Sequence, residues 1–166
     1  MRALPLLAAL ALLACARLPA SVAPAPQPLR LSDLADEGDA ERRTSMRLVL
    51  QGLDADADGR PELALGGYQS ALRVDPSNPY AYLALARHHL HGASPERALS
   101  FLDQASALLA AQGALSPRVE PHLEGLRGAA LLAGGRSAEA RPHLARARTL
   151  APQAWNDGSL SARELR

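Results

Sequence analysis

Three acidic residues at alternate positions, Asp54, Asp56 and Asp58, are followed directly by Gly59. Calcium-binding loops begin with this arrangement, because alternate carboxylates and a turn glycine wrap oxygen ligands around the ion. Such loops also need a glutamate at their twelfth position, and Leu65 stands there. The same residues suit a turn between two helices, with acids ahead of the second helix. We therefore favour a turn over a calcium site.

Three histidines, His88, His89 and His91, form the other cluster of potential metal ligands. On a helix, His88 and His91 would lie on neighbouring turns, where two imidazoles can share a metal ion. No nearby acid is placed as a third ligand, and the single cysteine, Cys15, lies far away in sequence. We predict that His89 fills a hairpin core, that His91 faces a groove, and that no metal is bound.

Sequence motifs for catalysis are absent. The chain lacks a nucleophile elbow, a phosphate-binding loop, a dinucleotide fingerprint and a zinc-protease motif. We expect a protein that is not an enzyme and that needs no cofactor.

The composition favours helices. The chain is 48% hydrophobic but only 3% aromatic, and alanine and leucine dominate. Both residues have high helix propensity, whereas β-branched residues are few. All 18 basic residues are arginines, set against 17 acids, so the chain is close to neutral. A neutral chain without a basic cluster gives no electrostatic basis for binding nucleic acid or anionic lipid. We predict an all-α protein with no nucleic-acid partner.

An internal repeat organises most of the chain. Three sets of residues share one spacing, with the shared centre Ala-x-x-x-[Tyr/Leu]-x-x-Ala. The two alanines lie about two turns apart on one helix face, where a neighbouring helix must approach closely, and the larger residue fills the gap between them. The three sets are Gly59, Ala64, Tyr68, Ala71 and Pro76; Ala93, Ala98, Leu102, Ala105 and Ala110; and Gly135, Ala140, Leu144, Ala147 and Pro152.

This pattern resembles the tetratricopeptide repeat (TPR), a helix-turn-helix unit with small residues at three fixed positions. The resemblance covers residues 45–152, and all nine small positions match: Gly52, Ala64, Ala71, Ala86, Ala98, Ala105, Gly128, Ala140 and Ala147. It implies a right-handed α-solenoid of about three helical hairpins, since one hairpin alone cannot bury its apolar face.

Capping and proline signals place the six helices of these hairpins. Asn78 and Ser94, each followed by a proline, are typical helix starts. We predict helices near 45–57, 61–74, 79–91, 95–112, 118–133 and 138–150, with residues 31–44 as an ambiguous helical lead-in. The second repeat is too long, and we place its extra residues at 112–116. Glu124 and Arg127 occupy positions that are usually apolar, so we expect a rotated helix or a pair between these two side chains.

The last hairpin needs a cover for its exposed face, and residues 153–166 are the candidate capping segment. Trp155, the one tryptophan, is interpreted as packing over the final hairpin rather than as a contact to a ligand. We expect its removal to lower the thermal midpoint.

The amino-terminal region predicts export and anchoring. Met1 and Arg2 precede an apolar run too short to span a bilayer, which is typical of a secretory signal at residues 1–14. The run ends in Leu-Leu-Ala-Cys, which resembles a bacterial lipobox and implies lipidation of Cys15. Ala16 follows the cysteine where an aspartate would resemble an inner-membrane retention signal, so we expect an outer membrane lipoprotein facing the periplasm. The alternative is an ordinary leader, cut at Ala20. Prolines within residues 15–30 indicate an extended linker.

The TPR resemblance further implies a partner groove lined by the first helix of each hairpin. The groove is expected to bind a protein or peptide, with Tyr80 and Arg87 as anchors, since such residues are enriched in binding hot spots. We predict a membrane-anchored scaffold or adaptor of the bacterial envelope; the alternatives are a self-associating structural lipoprotein and a metal-binding protein. The groove residues are Met46, Val49, Leu53, Tyr80, Leu83, Arg87, His91, His122 and Leu126.

Overall fold

A computed structural model describes residues 27–166 of the chain. The predicted signal at 1–14, the lipidation site Cys15 and most of the 15–30 linker lie outside the described residues. The described residues form helices and no strand, which confirms the predicted all-α class. A 3₁₀ turn at Leu31–Leu34 precedes α1 (Ala40–Ala57), α2 (Pro61–Val74), α3 (Pro79–His91), α4 (Pro95–Ala111), α5 (Glu120–Ala133), α6 (Ser137–Leu150), α7 (Pro152–Trp155) and α8 (Ala162–Leu165).

Side-chain caps explain where the first and third helices begin. Asp39 accepts a hydrogen bond from the Arg42 backbone N–H at 2.8 Å, so α1 starts at residue 40 and not near 45 as predicted. The ambiguous lead-in at 31–44 thus divides into the 3₁₀ turn, a non-helical connection at 35–39 and the first residues of α1. Asn78 accepts from the Tyr80 N–H at 3.0 Å and donates to the buried Ser45 hydroxyl at 2.8 Å. This one side chain therefore caps α3 and ties it to α1.

The long helices pack as three antiparallel hairpins, α1 with α2, α3 with α4, and α5 with α6. The first helices of successive hairpins also contact one another, α1 with α3 and α3 with α5, whereas the second helices approach each other less. The stack therefore curves, with α1, α3 and α5 on its concave side and α2, α4 and α6 on its convex side. None of the helices within residues 27–166 combines the length and the hydrophobicity that a membrane span requires.

The small residues of the repeat lie where the two helices of each hairpin meet. A methyl group added at Gly52 would overlap the ring of Tyr68, and one at Gly128 would come within 2.7 Å of Leu144. Small residues thus admit the larger residue of the facing helix, as the pattern predicted. All nine predicted small positions are buried: Gly52, Ala64, Ala71, Ala86, Ala98, Ala105, Gly128, Ala140 and Ala147.

Two glycines in the first hairpin give a matched test of this packing. Gly52→Ala is expected to destabilise the protein by about 1–3 kcal/mol, because the methyl group overpacks against Tyr68. Gly66→Ala should instead stabilise it by about 0.5–1 kcal/mol, since no atom lies within 4 Å of a methyl group there and alanine favours the helix. Urea unfolding followed by circular dichroism measures both. Changes of the same sign in the two variants would contradict the predicted contact.

In the third hairpin, the charged residues Glu124 and Arg127 at usually apolar positions do not form the pair that was expected. Glu124 lies 2.7 Å from the Nδ1 atom of His143 on α6, and Arg127 donates to Asp103 on α4 at 2.8 Å. The predicted pair is therefore wrong, because each side chain faces a different neighbouring helix.

Between the second and third hairpins, the extra length of the second repeat forms a turn-rich connection from Gln112 to Val119.

Candidate functional site

The nine predicted groove residues lie on the three concave-side helices, but most are not open to solvent. Tyr80 is half-buried and His91 is exposed. The other seven are buried, and Arg87 is only 7% exposed. Whether these residues bind a partner stays a prediction; the structure shows that the chain itself covers most of them. The three sets are Met46, Val49 and Leu53 on α1; Tyr80, Leu83, Arg87 and His91 on α3; and His122 and Leu126 on α5.

One part of the cover is formed by residues 27–38, which we call the lead-in segment; it begins before the predicted 31–44 lead-in and ends just before α1. Its Leu29 N–H donates to the carbonyl oxygen of Arg118 at 3.0 Å, and the Leu29 carbonyl lies 2.7 Å from the Nε2 atom of His122. Leu31 is fully buried in the same core. The lead-in segment is therefore fixed to the start of α5 before the chain turns into α1.

The other part is the C-terminal segment, residues 152–166, whose α8 packs on α1. Arg166 forms an ion pair with Asp54 at the end of α1, and the buried Leu165 belongs to the hydrophobic core. The Ser32 N–H donates to the Arg166 carbonyl at 2.7 Å. The two ends of the described chain thus meet on the concave face.

Trp155 occupies the middle of this arrangement. The indole is fully buried, and a methyl group at Gly125 of α5 would overlap its ring. The missing side chain at Gly125 therefore creates the space for the ring. The ring packs on the third hairpin, against the concave-side helix α5. Its Nε1 atom is buried without a hydrogen-bond partner within residues 27–166, so packing and not hydrogen bonding holds it.

A buried charge cluster lies beside the C-terminal segment. Asp56 accepts from Arg87 Nη1 at 2.8 Å and from the Tyr68 hydroxyl at 2.9 Å, and lies 3.0 Å from His88 Nδ1. Burial alone would raise the pKa of Asp56, but hydrogen bonds from His88 and Tyr68 and the charges nearby lower it overall. Arg87 Nε also donates to the Leu160 carbonyl at 3.2 Å. The predicted anchor Arg87 is thus committed to partners within the chain.

Sequence reasoning missed this cluster because it treated Asp56 only as one of three calcium-ligand candidates. The repeat register places residue 56 and residue 88 near the ends of neighbouring first helices, and this is the one sequence signal for their contact. A carboxylate that pairs with a guanidinium inside the stack ties the first hairpin to the second.

The three acids of the α1–α2 turn point to different partners. Asp54 pairs with Arg166, Asp56 lies in the buried cluster, and Asp58 pairs with Arg60 at 2.7 Å in an exposed position. Gly59 has φ of 72°, the left-handed conformation that ends a helix. These carboxylates do not converge on one point, and the geometry is that of a turn.

The histidines of α3 have different partners, although the rings of His88 and His89 meet edge to face with centroids 5.4 Å apart. His88 lies against Asp56, His89 stacks on Phe101 with ring centroids 5.2 Å apart, and His91 is exposed. Within residues 27–166 there is no group of three or more His, Cys, Asp or Glu side chains that could hold a metal ion.

Two open cavities flank the covered centre of the concave face. One, of about 300 Å³, is lined by Arg87, His91 and Ala129 and by residues 158–160. The other, of about 200 Å³, is lined by residues that include Tyr80. The two predicted groove residues that keep solvent exposure therefore each lie at an open cavity.

His122 gives a pH-dependent test of how the lead-in segment is held. Burial lowers the pKa of His122 below its ordinary value, although the Leu29 carbonyl opposes this change. Below about pH 6.5 the imidazole of His122 takes up a proton more readily in the unfolded chain than in the folded chain. The free energy of unfolding therefore keeps its full His122 contribution above about pH 6.5 and falls as the pH drops below that value. Between pH 7.5 and 5.5, His122→Gln is expected to lose less stability than the wild type.

Urea unfolding at both pH values measures this difference, and the exposed His91→Gln serves as the control. Equal losses in the wild type and in His122→Gln would show that the buried imidazole does not cause the acid sensitivity.

Comparisons with known proteins bear on the fold. No protein family model matches the chain, and no curated protein matches it. Among solved structures, the chain is similar to the N-terminal domain of stress-induced protein-1 (STI-1) from C. elegans. The TM-score is 0.59 at 18% sequence identity, over 77% of this chain and 98% of that one. At this identity the likeness concerns the fold alone, and it is a TPR-like helical fold.

Proposed function

We propose that this chain is a protein-interaction scaffold of the bacterial cell envelope, without enzymatic activity, held at the outer membrane through a lipidated Cys15. The observation that carries the proposal is the stack of three hairpins with one row of helices on a concave face. TPR-like stacks present such a face to peptides or partner proteins. The structural likeness reported above supports this fold and leaves the partner open.

The sequence supports the anchoring. The apolar leader, the lipobox-like end at Cys15 and the proline-rich linker after it are typical of a lipoprotein whose folded part stands away from the bilayer. A lipid anchor would concentrate the scaffold at the membrane, where its partner meets it by diffusion in two dimensions. Mass spectrometry of the mature amino terminus tests this directly. An acylated Cys15 supports the anchor, and an unmodified terminus after Ala20 would remove it.

The edges of the concave face are the proposed contact surface. Tyr80 and His91 lie on the same helix, each beside one of the two open cavities, while the centre between them is filled. Tyrosine supplies a large contact area with little loss of conformational entropy. A partner that spans α3 would touch both residues.

Crosslinking of the full-length lipoprotein in its native envelope, followed by purification, tests this surface. The double variant Tyr80→Ala/His91→Ala is expected to lose the crosslinked partner. The control Leu63→Ala/Arg73→Ala changes two exposed residues on the convex helix α2 and should keep it. Equal recovery from the wild type and both variants would exclude the concave edges as the binding surface.

A further inference from the structure

We propose that the C-terminal segment, residues 152–166, is an intramolecular ligand of the concave face, and that the partner docks with a short segment of the same chemistry which displaces it. This inference rests on the proposed scaffold function and specifies the surface and the kind of partner that it fits.

The C-terminal segment contacts the concave face as a bound peptide would. Trp155 lies over Gly125, and Leu160 and Leu165 are buried as two further apolar anchors. Arg87 binds a backbone carbonyl of the segment rather than a side chain, which is a contact that many sequences could make. These are the features of peptide recognition in a groove, namely spaced apolar anchors and main-chain hydrogen bonds.

An ion pair fixes the orientation in which the segment lies on the concave face. The terminal Arg166 pairs with Asp54 on α1, so the basic end of the segment lies at the acidic end of the first concave-side helix. A competing segment would carry an aromatic ring, two leucine-sized side chains and a basic residue in the same order.

The segment can leave without dismantling the hairpins. Its two helices, α7 and α8, have four residues each, and helices this short have no stability of their own in water. They are joined by residues 156–161, where Gly158 has φ of 80°. Most contacts within and between the three hairpins are made by α1 to α6 themselves, and the segment adds contacts of α8 with α1 and of α7 with α6. Local opening of such an end costs less than global unfolding.

The cavity of about 300 Å³ beside Leu160 offers a competing segment its first contact. Arg87, His91 and Ala129 line this cavity together with Gly158, Ser159 and Leu160 of the segment itself. A partner side chain in the cavity would touch the concave face and the connection that must move.

A labelled peptide tests the proposal on the full chain. The probe is a fluorescein-labelled synthetic peptide of residues 152–166, and fluorescence anisotropy measures its binding. Leu160→Ser/Leu165→Ser loosens the segment of the protein and should bind the peptide about tenfold or more tightly than the wild type, because the competent state is more populated. Gln153→Ala/Arg163→Ser alters two exposed positions of the same segment that do not line the cavity beside Leu160 and should bind like the wild type.

Hydrogen exchange on the wild type provides a second measurement. Amides of residues 160–166 are expected to exchange faster than those of α3, through local opening. Exchange of these amides at the global unfolding rate would overturn the proposal. So would loss of helical circular dichroism in Leu160→Ser/Leu165→Ser, or a folded double variant that binds the peptide no more tightly than the wild type. A wild type that forms a dimer by exchanging this segment would also overturn the intramolecular arrangement. None of these failures changes the result expected for the crosslinked partner, which Tyr80→Ala/His91→Ala should lose. The scaffold proposal and the segment proposal can therefore fail separately.

Discussion

Trp155→Ala is expected to lower the free energy of unfolding by about 3–5 kcal/mol, the range found for buried aromatic residues replaced by alanine. The ring is fully buried over Gly125 and belongs to the core that joins the concave face to both terminal segments. Its loss would leave a cavity that the glycine cannot fill. Denaturant unfolding followed by circular dichroism measures the change.

Gln153→Ala is the matched control for this substitution, because Gln153 is exposed on the same short helix. It should change stability by no more than about 0.5 kcal/mol. A Trp155→Ala variant as stable as the Gln153→Ala variant would mean that the indole is not seated on α5.

Asp56→Ala should cost a similar amount, about 3–5 kcal/mol, because it leaves the buried guanidinium of Arg87 without its carboxylate. Both side chains of this pair are less than 10% exposed. Asp58→Ala, two residues away in the same turn, removes an exposed pair with Arg60 and should cost at most about 1 kcal/mol.

Comparison of the two variants by urea unfolding separates a structural acid from a surface acid. Equal costs would show that the buried cluster of Asp56, Arg87 and His88 does not hold the first two hairpins together. Calcium titration of the wild type by calorimetry is a further check, since a turn with diverging carboxylates should give no binding heat.

The hairpin architecture could be predicted from the sequence because its signals are local and repeated. Small residues such as Gly52 and Ala64 recur at fixed spacing, and each is required by a close approach between adjacent helices. The ends of α2, α3 and α4 lie within one residue of the predicted positions, since proline and glycine punctuate them. The start of α1 lies earlier than predicted, because Asp39 caps the helix ahead of the repeat pattern.

That the chain's own segments cover the concave face could not be predicted in the same way. The contact of Trp155 with Gly125 joins residues from different elements, and nothing near either residue in sequence signals the other. Glycine at position 125 is understandable only when the ring that fills its space is known. The ion pair of Arg166 with Asp54 is another long-range contact of this kind. An open groove was therefore expected where the chain folds back on itself.

Nuclear Overhauser spectroscopy of the mature protein tests most directly whether the C-terminal segment occupies the concave face. The single tryptophan makes the indole signals unambiguous. We predict cross-peaks between the ring protons of Trp155 and the α protons of Gly125, with the latter shifted upfield by the ring current. Indole signals without contacts to α5, together with unshifted Gly125 protons, would show that the concave face is open and that the segment lies elsewhere.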